Sequence, residues 1–151
     1  MGNRALIAIH PAKKTSPCIY VHWSGGRESI EGFLMAAKAL GMRSPEDDPS
    51  YALARLTQLI GNFFGGEPDG YLSLGLGLVG DFALEDNGLW EIGGEWKIIR
   101  NKQYPQLEAY DIPLSIRTAK QAVYAMNLDE DDEPKVLDRL DDLLDEYLQY
   151  T

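Results

Sequence analysis

The stretch Ser24-Gly25-Gly26-Arg27-Glu28-Ser29 has residue types and spacing that suit ligand chemistry. Two glycines allow a tight bend, and apolar residues at helical spacing begin at Ile30. A glycine turn entering a helix presents free backbone N–H groups and the positive end of the helix dipole to an anion. On that reading Ser24, Gly25, Gly26, Arg27 and Ser29 bind a phosphate or nucleotide. The plain alternative is a strand-to-helix turn, with the glycines permitting the bend and a serine capping the helix.

The second chemical feature is charge. Residues Leu128 to Thr151 carry ten acids against Lys135 and Arg139, a net of −8 in a chain whose total is −10. Asp138, Asp141, Asp142, Asp145 and Glu146 recur at helical spacing and predict one continuous negative stripe, with Asp131 and Asp132 near its start. Such a face repels nucleic acid and suits a protein partner with a basic surface, since spaced carboxylates imitate a phosphate backbone. The plain alternative is a solvated helix face with acids placed well for the dipole.

Three other patterns are weaker. Gly75-Leu76-Gly77-Leu78-Val79-Gly80 is formally G-x-G-x-x-G, but leucine alternation runs through it and Asn87-Gly88 follows too soon for a helix, so a dinucleotide site is rejected. Cys18 opposite His10 in a hairpin would resemble a Cys–His nucleophile, although small buried cysteines are usually inert. His10 and His22 have no carboxylate pattern for a metal, and Asp129–Glu133 lacks the glycine of a calcium loop. No catalytic residue, metal or cofactor is expected.

Size and composition bound the rest. A chain of 151 residues, 44% hydrophobic with three tryptophans, predicts a single domain over 1–151 with a real core. One cysteine excludes an internal disulfide. An isoelectric point near 4.6 argues against direct nucleic-acid binding. No apolar run is long enough for a membrane span, and a cytoplasmic location is expected.

The elements that must position these residues read as α+β. Ala5–Ile9 and Cys18–Trp23 predict an N-terminal hairpin, with Cys18, Tyr20 and His22 on one face and Ile19, Val21 and Trp23 on the other. Ile30 to Leu40 predicts a helix closed by Gly41. Ser50 to Phe64 predicts a second, stopped by Gly65-Gly66. Leu72 to Leu78 alternates as a strand whose glycine face is expected to lie under a backbone or helix. Asp86-Asn87-Gly88 predicts a hairpin between Phe82–Glu85 and Leu89–Ile92, continued by Trp96–Arg100 as an antiparallel meander. Ile116–Met126 and an acidic helix over about 134–149 complete roughly four helices around the sheet.

Two resemblances add expectations. Ser24 to Ser29 resembles the S-G-G-x-D-S signature of the PP-loop ATP pyrophosphatases, with Glu28 in place of the Asp. That resemblance implies a pyrophosphate cradle at Ser24, Gly25, Gly26 and Ser29 in an adenylating enzyme. Gly2-Asn3-Arg4-Ala5, Tyr20 to Arg27 and Ile60 to Gly66 are similar to a family of small proteins of bacteria and their mobile elements, which has no assigned activity. That likeness implies a phage or plasmid accessory role. With the acidic stripe, it suggests a non-enzymatic inhibitor of a nucleic-acid-handling or host defence complex, such as an anti-CRISPR or anti-restriction factor. The nucleotide-binding or PP-loop-like reading is the alternative.

Overall fold

Chain periodicity dictates the layers. The computed structural model describes residues 2–65 and 73–149. Strands β1 (Ala5–Ile9) and β2 (Pro17–Val21) pair antiparallel, with Ala5 opposite Val21 and Ile7 opposite Ile19. Alternation then sorts their side chains. Ala5, Ile7, Ile19 and Val21 join the main core on one face. Leu6, Ala8 and Cys18 form a second cluster on the other, with Tyr20 packed against it.

Helix α1 (Arg27–Ala39) follows β2. Its Ile30, Phe33, Leu34 and Ala37 are buried in the main core, and Gly41 beyond it has φ +72°. Helix α2 (Pro49–Phe64) begins one residue before the expected Ser50, because Asp48 caps it by accepting from the Tyr51 N–H and Pro49 fits its first turn. Gly65, at φ +68°, ends it, while Gly66 and Leu72 lie outside the described residues.

The remaining strands are β3 (Leu74–Leu78), β4 (Leu89–Gly93) and β5 (Lys97–Asn101). The sheet order is β3-β2-β1-β4-β5, and its one parallel pair is β1 with β4. This corrects two expectations. Phe82–Glu85 is not a strand, and β3 and β4 do not neighbour each other, so the meander is divided between the two edges. The Asp86-Asn87-Gly88 turn does form, with Asp86 at φ +51° and Gly88 at φ +69°. Gly88 N–H closes the turn on the Glu85 carbonyl at 3.0 Å, while Asn87 N–H donates to the Arg4 carbonyl of the N-terminal segment at 3.1 Å.

The glycine face of β3 is also not covered as expected. The rings of Tyr20 and Phe82 stack at 5.4 Å, and a Cβ on Gly77 would meet Phe82 Cε2 at 2.7 Å. Aromatic rings, rather than a backbone or helix, fill the space. On the opposite face of this edge strand, Leu76 is 66% exposed.

Helix α3 (Ile112–Ala125) starts four residues before the expected Ile116. Asp111 caps it, accepting from Leu114 N–H at 3.0 Å, and Pro113 sits in its first turn. Helix α4 (Asp132–Gln149) packs on α1 and α3 through Val136, Leu140 and Leu143. The result is an α+β domain with its helices gathered on one face of a mostly antiparallel sheet. Among the described residues, no helix is long and apolar enough to cross a membrane.

Candidate functional site

Ser24 to Ser29 is a strand-to-helix turn, and its geometry shows what each residue does. Ser24 takes a left-handed φ of +61° to reverse the chain. Gly25 is buried against the N-terminal segment and donates its N–H to the Asn3 carbonyl at 2.8 Å. A Cβ there would lie 2.8 Å from both the Arg4 carbonyl carbon and Ala5 Cβ. The Gly25 carbonyl in turn accepts from Trp90 Nε1 at 2.9 Å. Gly26 begins α1, and no side chain caps the helix there. Ser29 is only half-buried in the first turn.

Arg27 does not point to a free anion position. Its guanidinium lies 4.3 Å over the Tyr110 ring, donates to the Glu108 carbonyl and pairs with Glu31 at 3.5 Å. Glu28 Oε1 accepts from Asp111 N–H at 3.4 Å. Burial pushes the Glu31 carboxyl above its ordinary value, against the pull of Tyr110 and Arg27. Burial and Glu31 together push the Tyr110 hydroxyl up as well.

The turn opens onto a cavity of about 460 Å³. Arg27, Glu28, Asp86, Trp90, Tyr104 and Tyr110 are among its walls, with exposed Glu108 at the rim. Three segments distant in sequence meet here. Gly2-Asn3-Arg4, the Ser24 turn and Asp86-Asn87-Gly88 are stitched together by Asn3 N–H to His22 carbonyl, by Asn87 Nδ2 to Asn3 Oδ1, and by Arg4 N–H to Asp86 Oδ2 at 2.9 Å. Tyr104 then reaches across from the β5–α3 loop, donating its hydroxyl to the Asp86 carbonyl at 2.8 Å. Sequence reasoning found the glycine turn but not this cavity, since no local pattern announces that residues 27, 86 and 104 share a wall.

The acidic residues are placed as the helical spacing predicts. Asp131, Asp132, Asp138, Asp141, Asp142, Asp145 and Glu146 are all exposed. Asp141 pairs with Lys120 of α3 at 2.9 Å, and Arg139 of α4 donates to the Ala39 carbonyl at 2.8 Å. Asp129 Oδ1 accepts from the N–H groups of Asp131 and Asp132, which starts the helix ahead of Pro134.

Cys18 and the histidines do not assemble. The β1–β2 register sets Cys18 beside Ala8 and Gly77, not His10. His10 Nδ1 lies 3.2 Å from Glu91, and His22 Nδ1 lies 2.9 Å from the Tyr20 hydroxyl. Burial, helped by Asp81, pushes the Cys18 thiol up to about 11, opposite to what a nucleophile needs.

One chemically unusual group escaped the sequence reading. Glu91 in β4 is fully buried beside the second cluster. It accepts from Ala12 N–H at 2.7 Å, pairs with Arg100 and contacts His10. Burial acts to raise its pKa, and the hydrogen bonds from Arg100, the Ala12 amide and His10 outweigh that, so it stays below the ordinary value. In sequence Glu91 is a lone acid in a short strand. Its partners come from β5 and the β1–β2 turn.

Comparison with family models, curated proteins and solved structures finds no match.

Proposed function

We propose that this chain is a non-enzymatic protein-binding accessory factor whose acidic α4 face docks on the basic surface of a nucleic-acid-handling complex. An inhibitor of a host defence complex, of anti-CRISPR or anti-restriction type, is its sharpest form. The observation that supports it is the α4 stripe. Five acids between Asp138 and Glu146 lie exposed on a helix whose other side is buried. At the helical rise they place one carboxylate about every 3 Å of axis, close to the 3.4 Å phosphate spacing along one DNA strand. A surface shaped for phosphates therefore meets similar charge density on this helix.

The Ser24–Ser29 loop supports a nucleotide reading less well. The open start of α1 favours an anion, but Glu28, Asp86 and Glu108 surround the adjoining cavity, and Arg27 is already held by Glu31 and Tyr110. A polyphosphate there would face net repulsion.

A tagged chain is used to capture partners from nuclease-treated bacterial lysate at low and high salt. The expected result is a stoichiometric, salt-sensitive, basic partner that is lost when Asp138, Asp141, Asp142 and Asp145 are all changed to Asn. Capture that survives those changes removes α4 from the mechanism. A bait that retains nothing overturns the protein-binding reading in that host.

A further inference from the structure

We infer that the cavity at the start of α1 is a guanidinium site, which receives an arginine side chain of the basic partner. The inference deepens the protein-binding reading and rests on it for the source of the arginine. The cavity itself rests on separate residues from α4.

Three features of the cavity select that group. The first is charge. Glu28, Asp86 and Glu108 face or rim the cavity, against the single cation Arg27. Arg27 is itself balanced by Glu31 at 3.5 Å and Asp86 by Arg4 at 3.9 Å, so Glu28 and Glu108 leave the field inside negative. The second is flat aromatic surface. Trp90 and Tyr104 join Tyr110 in the walls, and Tyr104 is fixed by its hydroxyl bond to the Asp86 carbonyl. A delocalised planar cation stacks on such rings and donates two hydrogen bonds to one carboxylate, while a compact ammonium is held more weakly and carries more water.

The third is the molecule's own precedent. Arg27 lies 4.3 Å over Tyr110, with its N–H groups directed to the Glu108 carbonyl and to Glu31. This wall already binds one guanidinium by ring face, carboxylate and carbonyl. The same cavity is also lined by Tyr104, Glu28 and Glu108, a further ring and two further acidic residues. Its volume of about 460 Å³ leaves room for a whole arginine side chain.

Charge complementarity also joins this cavity to the α4 face. Tyr110 of the cavity wall and Tyr147 near the end of α4 both pack against the main core, which puts the cavity and the acidic helix on the same side of the sheet.

The test is a titration of the uniformly ¹⁵N-labelled full chain, followed by amide and indole resonances. The probes are N-acetyl-arginine amide, its neutral isostere N-acetyl-citrulline amide, and pyrophosphate. The arginine probe is expected to bind with a millimolar Kd, as a single side chain would, and to shift the Trp90 indole and the Tyr104, Glu108 and Tyr110 amides saturably. Citrulline amide should bind at least about tenfold more weakly. Glu28→Gln with Glu108→Gln should weaken the arginine probe at least about fivefold while the remaining spectrum stays folded. Equal shifts from citrulline, a preference for pyrophosphate, or no saturable shift would overturn the site. The α4 Asp→Asn variant separates the two readings. A chain that captures its partner but ignores the arginine probe overturns the site alone. A chain that binds the probe but captures no basic protein overturns the protein-binding reading alone.

Discussion

At the scale of single residues, adjacent glycines in one turn have different jobs. Gly25 has no room for a side chain, because the backbone of Asn3 to Ala5 passes directly over it. Gly26 has an ordinary φ of −71°, and a Cβ would find its nearest neighbour, Asn3 Nδ2, at 3.6 Å. Gly25→Ala is expected to destabilise the fold by about 1–3 kcal/mol, since the β1 segment must move. Gly26→Ala should stay within about 0.5 kcal/mol. Denaturant midpoints of the two variants check this, and equal losses would refute the packing explanation. Glu91 gives the clearest pH dependence. Its folded pKa is depressed, so its contribution is present above the unfolded value of 4.5 and is lost as pH falls through the folded value. The wild-type midpoint should therefore fall on acidification below about pH 4.5, with a slope that Glu91→Gln flattens. That variant loses charged hydrogen bonds to Arg100 and the Ala12 amide, while the half-exposed Arg100 stays solvated, so at pH 7 it should cost about 1–3 kcal/mol. Cys18, raised to about 11 and buried, should resist iodoacetamide at pH 8 until the chain is unfolded.

At the scale of elements, local chemistry was legible and long-range pairing was not. Strand β1 was read at its observed bounds because five consecutive apolar residues leave few alternatives. The bend at Asp86-Asn87-Gly88 was equally plain, since positive φ at Asp86 and Gly88 is written in the residue types. Where that bend docks was not. The Asn87 amide and side chain donate to Arg4 and Asn3, more than eighty residues away, and nothing near Asn87 states this. The same limit explains the divided meander, because strand order depends on which faces the helices cover. Strand β3 shows the consequence. Its leucine alternation was correct, but as an edge strand it leaves Leu76 66% exposed. Leu76→Lys should change stability by no more than about 0.5 kcal/mol, whereas Leu140→Ala in the buried seam of α4 should cost about 2–5 kcal/mol. Thermal unfolding of both distinguishes an edge from a core. An intact fold in the Leu140 variant at wild-type stability would mean that α4 is only loosely docked.

At the scale of the whole molecule, charge and shape are divided between two places. The α4 stripe offers long-range field, and the cavity beside α1 offers a short-range, directional contact. These act on different steps of association. Exposed charges steer encounter and lose strength as salt shortens the Debye length, which is about 10 Å at 0.1 M. A desolvated contact acts mainly on dissociation. Changing Asp138, Asp141, Asp142 and Asp145 to Asn removes four charges from a chain of net −10. It also relieves like-charge pairs at i and i+4, so the variant should be as stable as the parent or slightly more so. Its association rate with the captured partner should fall about tenfold or more at low salt and become nearly insensitive to salt. Glu28→Gln with Glu108→Gln should instead leave the salt slope of association almost unchanged and speed dissociation. Surface-binding kinetics over a range of ionic strength measure both. If the α4 variant altered dissociation alone, the stripe would be a contact surface and not a steering field. Its spacing against phosphates would then matter less than the particular side chains it touches.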